Sequence, residues 1–137
     1  MSETTSDTTT KRLSLDPVEQ LRRAEFLLDV SRKVSGLTSL DDILAELVEI
    51  STREIGAERG TLFLNDPQTG ELYSRIAQGI FKREIRVLND RGIAGHVFTQ
   101  NKSEIVADAY ADSRFNRDVD EKTDFVTKSI LCVPLLT

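Results

Sequence analysis

Gly92-Ile93-Ala94-Gly95-His96-Val97-Phe98 decides how this 137-residue chain is read. Two glycines three positions apart, followed by small and apolar residues, describe a turn that opens a short helix. Backbone N–H groups at such an opening can face a small anion. The same spacing also solves a tight strand-to-helix turn with no ligand, so alone it decides nothing. Its flanks say what it joins. Upstream, Glu84-Ile85-Arg86-Val87-Leu88 alternates as a strand does. Downstream, Glu104-Ile105-Val106-Ala107 reads as another strand, and Ala109 to Thr127 is polar, acidic, and either irregular or a helical turn. Ser129-Ile130-Leu131-Cys132-Val133-Pro134-Leu135-Leu136 is the most apolar strand. Pro134 cannot donate to a ladder and marks a bulge or an unpaired edge position.

Further upstream, Thr61-Leu62-Phe63-Leu64 and Leu72 to Gln78 flank Asn65-Asp66-Pro67-Gln68-Thr69-Gly70, a turn in which proline fixes φ and glycine allows positive φ. The three together predict a hairpin. Before the hairpin, Leu40, Ile43, Leu44, Leu47, Val48, Ser51 and Ile55 share one face of a helix that Ser39 and Asp42 open as a capping box and Gly56 closes. An earlier helix begins with Asp16 as its cap, Pro17 at its first position and Glu19 in its first turn, and stops at Gly36. Its Leu27, Val30, Val34 and Leu37 recur at three-four spacing, which fits a helix packed on its own domain or a short seam between two copies. The division is a disordered tail over 1–15, a connector helix over 16–37 and one folded domain over 38–137.

Composition excludes several classes of function. Eighteen Lys and Arg stand against 23 Asp and Glu, for a net charge of −5, and aromatic residues make up 6%. An acidic chain with few rings fits neither a phosphate-backbone binder nor a stacking platform, so no nucleic-acid partner is expected. One Cys and one His complete neither a disulfide nor a structural zinc site. The apolar run Ile130 to Leu136 is far too short to cross a bilayer, and no charged-then-apolar leader opens the chain, so a cytoplasmic protein is expected.

The chemistry of single residues is equally spare. His96 has no Ser or Cys partner at motif spacing and reads as structural. Cys132 lies in an apolar strand, where thiols are inert. Asp118, Asp120, Glu121 and Asp124 form an acidic stretch with no glycine at the sixth position of a calcium loop. No phosphate-binding Gly-x-x-x-x-Gly-Lys loop exists. No catalytic residue, metal ligand or cofactor is expected.

Taken in order and spacing, four segments resemble a GAF domain, the small-molecule sensor module of phosphodiesterases, bacterial adenylate cyclases and sensor kinases. They are Gly92 to Val97; Asp108-Ala109-Tyr110 with Arg114-Phe115-Asn116; Val119-Asp120 to Thr123; and Ser129 to Leu135. The resemblance covers about Leu40 to Thr137, with Asp16 to Leu37 similar to the family's leading connector helix. It implies an α+β fold, a six-stranded antiparallel sheet with helices on both sides. The chain is expected to be incomplete at its C-terminus, without the final strands and closing helix. Asn101-Lys102, Phe115 and Asp120-Glu121 mimic the cyclic-nucleotide subfamily's Asn-Lys…Phe…Asp-Glu motif at the wrong spacing, and are not counted.

The resemblance also implies a function, a regulatory sensor that binds cAMP or cGMP and controls an output domain such as a nucleotide cyclase, a phosphodiesterase or a histidine kinase. Thr61 and the Ala77-Gln78 corner would meet the base. Ile93 and Ala94 would offer backbone N–H groups to the cyclic phosphate. Asn116, Asp120, Thr123 and Thr127 would close over the ligand. Where cGMP-binding relatives carry an aromatic residue and an acid, this chain has Ala77 and Gln78, which removes a stacking surface and puts an amide at the purine edge. Cys132 is misplaced for bilin attachment. The leading helix implies a homodimer. The competing class is a ligand-free dimerisation or scaffold module.

Overall fold

The structure, a computed structural model, describes residues 16–78 and 84–136. The tail expected over 1–15 lies outside them. The chain divides into two compact units, Met1–Thr38 and Ser39–Thr137. In the first, α1 runs Pro17–Val34, with Pro17 in the first turn, Glu19 near the positive end and Arg32 and Lys33 near the negative end. None of its residues is buried. Asp16 forms no side-chain cap, contrary to the expected start, and the helix stops at Val34, short of Gly36.

The second unit begins with α2, Leu40–Glu54. Ser39 makes no side-chain cap, so the expected capping box is absent. Gly56, at φ 66°, takes the left-handed conformation that ends the helix. Its inward face is rotated from the expected one. Ile50 is almost wholly buried and Thr52 is buried, whereas Leu40 and Ile55 are exposed. Thr52 returns its hydroxyl proton to the Val48 carbonyl at 2.6 Å, which lets a polar side chain lie inside without an orphan donor.

The hairpin forms as expected, β1 Thr61–Asp66 and β2 Glu71–Ala77. In its turn, the Gln68 N–H donates to Asp66 Oδ1 at 3.0 Å, and Gly70 sits at φ 70°. The ladder carries one irregularity. Leu62 pairs with Ile76 and Phe63 with Ser74, so Arg75 bulges out between them. It reaches Asp41 of α2 at 2.6 Å. β3, Arg86–Leu88, adds antiparallel to β2. Its Arg86 bonds Glu71 at 3.1 Å and Glu84 at 2.9 Å. α3 then spans Gly92–Gln100, β4 Glu104–Val106, a single 3-10 turn Ala109–Ala111, α4 Arg117–Thr123 and β5 Ile130–Cys132.

The fold class is α+β with antiparallel sheets and flanking helices, as the resemblance implies. The sheet itself differs from the expected single layer. Among the described residues it is a three-stranded sheet, β1-β2-β3, and a separate pair, β4-β5. α3 packs against both β3 and β5 and so joins them. The strand expected over 129–136 shortens to three residues, and Pro134 lies beyond it. The core gathers Ile50 of α2, Leu72 of β2, Ile93 and Val97 of α3, Val106 of β4 and Ala109. No helix among the described residues is long and apolar enough to cross a membrane.

Candidate functional site

The start of α3 is set by its two glycines. Gly92 holds φ 71°, which only glycine adopts without strain. A Cβ on Gly95 would come within 3.0 Å of the Asp90 carbonyl carbon and 3.2 Å of Asn89 backbone atoms. Both positions therefore serve the tight turn. The turn leaves the first helical N–H groups, those of Ile93 and Ala94 among them, without intrahelical acceptors. Arg91, at the cap position, supplies no side-chain acceptor. Ile93 is buried and Ala94 half-buried.

Beside this helix a run of polar contacts links α3, β4 and the loop that carries Asp112 and Arg114. His96 of α3 lies 3.3 Å from Glu104 of β4, and Arg114 lies 3.5 Å from the same carboxylate oxygen. Arg114 also grips Asp112 through Nε at 3.0 Å and Nη2 at 2.7 Å, and its own N–H donates to Oδ1 at 2.9 Å. These bonds, the guanidinium's first, hold the Asp112 carboxyl down from 3.8 to about 2. A carboxylate whose folded pKa is depressed stabilises the fold above its unfolded value and loses that contribution as pH falls through the folded one. The support from this pair is thus complete above 3.8 and fades as the pH drops toward about 2. Replacing Arg114 by Gln removes the guanidinium but keeps the backbone N–H, so it is expected to move the Asp112 midpoint up from about 2 without restoring it fully to 3.8, measured by NMR titration of its carboxyl carbon. A midpoint that stays near 2 in that variant would contradict this assignment.

The segment around α4 is fastened by one carboxylate. Asp120 is 6% exposed. Its Oδ2 accepts from the Tyr110 hydroxyl at 2.8 Å and the Thr127 N–H at 2.7 Å, and its Oδ1 accepts the Thr127 hydroxyl at 2.6 Å. Burial pushes this carboxyl up, but the Thr127 and Tyr110 bonds outweigh it and leave the group below its ordinary value. Thr123 donates to the Asp120 carbonyl at 3.2 Å. Asn116 caps α4 by accepting from the Asp118 N–H at 3.0 Å. Arg117 lies over the Tyr110 ring and donates to its carbonyl at 2.9 Å. Behind α4, Phe125 lies under the Arg59 guanidinium at 4.1 Å, which ties this segment to the start of β1.

At the far end of the hairpin, Thr61 is exposed and Ala77 half-buried. They are partners in the β1–β2 ladder. Gln78 is held at both ends of its amide. Oε1 accepts the Gly60 N–H at 2.8 Å, and Nε2 donates to Glu49 of α2 at 2.8 Å. An open cleft of about 500 Å³ lies beside it, lined by Glu49, Thr52, Arg53, Ala57, Glu58, Arg59 and Gln78.

The structure therefore brings Asp120, Thr123 and Thr127 together, and Thr61 with Ala77. Asn116 and Gln78 are each committed to a bond within the chain. Sequence reasoning gave no role to Tyr110, Arg59, Phe125 or Glu49. The spacings from Tyr110 to Asp120 and from Asp120 to Thr127, ten and seven residues, carry no periodic signal that would have paired them. Cys132 is half-buried, and burial pushes its thiol pKa up, which makes it a poor nucleophile. No group of three or more His, Cys, Asp or Glu among the described residues could hold a metal ion.

The family model described as GAF domain matches residues 39–137. A probable 3',5'-cyclic phosphodiesterase of Caenorhabditis elegans is 34% identical over 133 residues, which are 86% of this chain and 18% of that protein. A dual 3',5'-cyclic-AMP and -GMP phosphodiesterase of Drosophila melanogaster is 28% identical, over 91% of this chain and 10% of its own length. The chain thus spans less than a fifth of these relatives. Among solved structures, the GAF domain of a phosphoenolpyruvate-protein phosphotransferase from Coxiella burnetii superposes with a TM-score of 0.74 over 85% of this chain and 71% of that one. At 19% identity it speaks for the fold alone.

Proposed function

We propose, since this chain belongs to the GAF domain family, that it is a regulatory sensor module acting in the cytoplasm, itself without catalytic activity, and that its ligand is a cyclic nucleotide, cAMP or cGMP. The 34% identity to a segment of a cyclic phosphodiesterase carries this reading. The two relatives favour a phosphodiesterase as the output domain over a nucleotide cyclase. In this reading the cyclic phosphate meets the free N–H groups of Ile93 and Ala94, where the helix dipole favours negative charge. The base lies toward Thr61 and Ala77, and the α4 segment covers it. With its amide bonded to Gly60 and Glu49, Gln78 shapes the corner and cannot turn freely toward a ligand.

Titration calorimetry of the 137-residue chain with cGMP and with cAMP is expected to give heat with at least one of them, in the micromolar range or tighter. No heat and no thermal shift with either would overturn the ligand reading. It would leave a ligand-free dimerisation module, which one observation favours: Leu27 of α1 is exposed, and Val30 and Val34, on the same face of that helix, are only half-buried. Two copies joined along that helix would hide them. Sedimentation would then separate the outcomes. A dimer that Val30→Glu with Val34→Glu turns into monomers supports the helix seam, and a wild-type monomer rejects it.

A further inference from the structure

We infer that Glu49 of α2 is a positioning residue for the base corner: through the amide of Gln78 it sets where Thr61 and Ala77 stand, and Gln78 itself meets no ligand. The inference rests on the cyclic-nucleotide reading for its purpose, and it gives that site a determinant on the opposite side of the sheet.

Strand alternation supplies the first step. A Cβ on Gly60 would strike Thr52 and Val48 of α2, so position 60 looks toward that helix. Successive residues of a strand point to opposite faces, so Thr61 looks away from it. Ala77 is the ladder partner of Thr61 and shares its face, which leaves Gln78 on the side of α2. The bond from Gln78 to Glu49 runs in that direction. The residues proposed to meet the base and the Gln78 side chain thus lie on opposite faces.

The second step is what the amide does there. The Gln78 N–H donates to the Gly60 carbonyl at 3.0 Å, and the Gly60 N–H donates back to Gln78 Oε1 at 2.8 Å. A side-chain oxygen therefore stands in for a backbone acceptor at the last rung before Thr61. The terminal torsion of a glutamine is soft, so this oxygen stays on Gly60 only while the other end of the amide is held. Glu49 Oε2 holds it, accepting from Nε2 at 2.8 Å. A carboxylate only accepts and a backbone N–H only donates, so the two partners together fix which end of the amide faces which.

The third step is a difference of sign. Were Gln78 a contact to the base, Glu49 would compete with the ligand for its amide, and removing Glu49 would tighten binding or leave it alone. As a brace, the same removal loosens the corner and weakens binding.

Glu49 is exposed, so replacing it strands no buried carboxylate. Nitrogen–proton correlation NMR of the whole chain, without nucleotide, reads the corner directly. Glu49→Ala is expected to shift the amide signals of Gly60, Thr61 and Ala77. Glu49→Gln, whose amide oxygen can still accept from Gln78, is expected to leave them in place. Unmoved Thr61 and Ala77 signals in Glu49→Ala would overturn the brace. Calorimetry with cAMP and cGMP reads the consequence. Glu49→Ala is expected to weaken binding by about fivefold, and Glu49→Gln to stay within about twofold of the wild type. Unchanged or tighter binding by Glu49→Ala would overturn the positioning role and return Gln78 to the ligand. A wild-type chain that binds neither nucleotide overturns the cyclic-nucleotide reading instead, and the ligand-free spectra keep that failure apart from failure of the brace.

Discussion

Asp120→Ala is expected to destabilise the domain by about 3 kcal/mol and to lower its thermal midpoint by roughly 10 °C. The substitution leaves the Thr127 N–H, the Thr127 hydroxyl and the Tyr110 hydroxyl without the acceptor they share. At 6% exposure, water does not readily replace that acceptor. Losing a buried acceptor costs the desolvation of each abandoned donor, which exceeds the net worth of the bonds. Asp120→Asn keeps one acceptor oxygen and is expected to lose about half as much. Thermal unfolding followed by circular dichroism measures both. An alanine variant that melts within about 3 °C of the wild type would show that the triad contributes little to the closed fold.

Gly60→Ala is the second substitution with a large expected effect, about 2–3 kcal/mol of stability. The added Cβ would lie 2.5 Å from Thr52 Oγ1 and 2.9 Å from Val48 Cγ1. Both atoms are the short arms of β-branched side chains on α2 and have little room to turn. The strand cannot step away from the helix either. The Gly60 N–H donates to Gln78 Oε1 at 2.8 Å, and its carbonyl accepts the Gln78 N–H at 3.0 Å. Thr52→Ala removes the nearer obstacle. The double variant is therefore expected to be at least about 1 kcal/mol more stable than the two single losses added together. Urea unfolding of the four proteins closes the cycle. Strict additivity would place the strain of Gly60→Ala somewhere other than at Thr52.

What the sequence disclosed follows from the range of each interaction. The hairpin was legible because Asp66, Pro67 and Gly70 act on their own backbone. So was the turn into α3, where Gly92 and Gly95 are required locally. Helix ends were less so. Asp16 and Ser39 have the right chemistry for caps, yet neither side chain bonds. Ile50 was missed as the deepest side chain of α2 because which stripe of an amphipathic helix faces inward depends on what packs there, and Leu40 looked equally apolar. For the site, the resemblance groups Asn116, Asp120, Thr123 and Thr127; the structure bonds Asp120 to Thr123 and Thr127 and uses Asn116 to cap α4. Their bonds to one another and to Tyr110 span too many residues for a local pattern to reveal. The same holds for Gln78, whose partner Glu49 lies 29 positions away. A glycine such as Gly60 leaves no trace of the helix pressed against it.

The bulge at Arg75 makes the length of β2 negotiable. Every cross-strand pair on either side of it, from Thr61 with Ala77 to Asp66 with Glu71, is counted as though Arg75 were absent. A deletion of that one residue would leave the remaining partners facing one another, with Ala77 still on the face it shares with Ser74 and Leu72. What would go is the bond to Asp41 of α2. In this strand an insertion thus adds a tether to the neighbouring helix without altering which side chains look inward, so the two properties can be gained or lost separately.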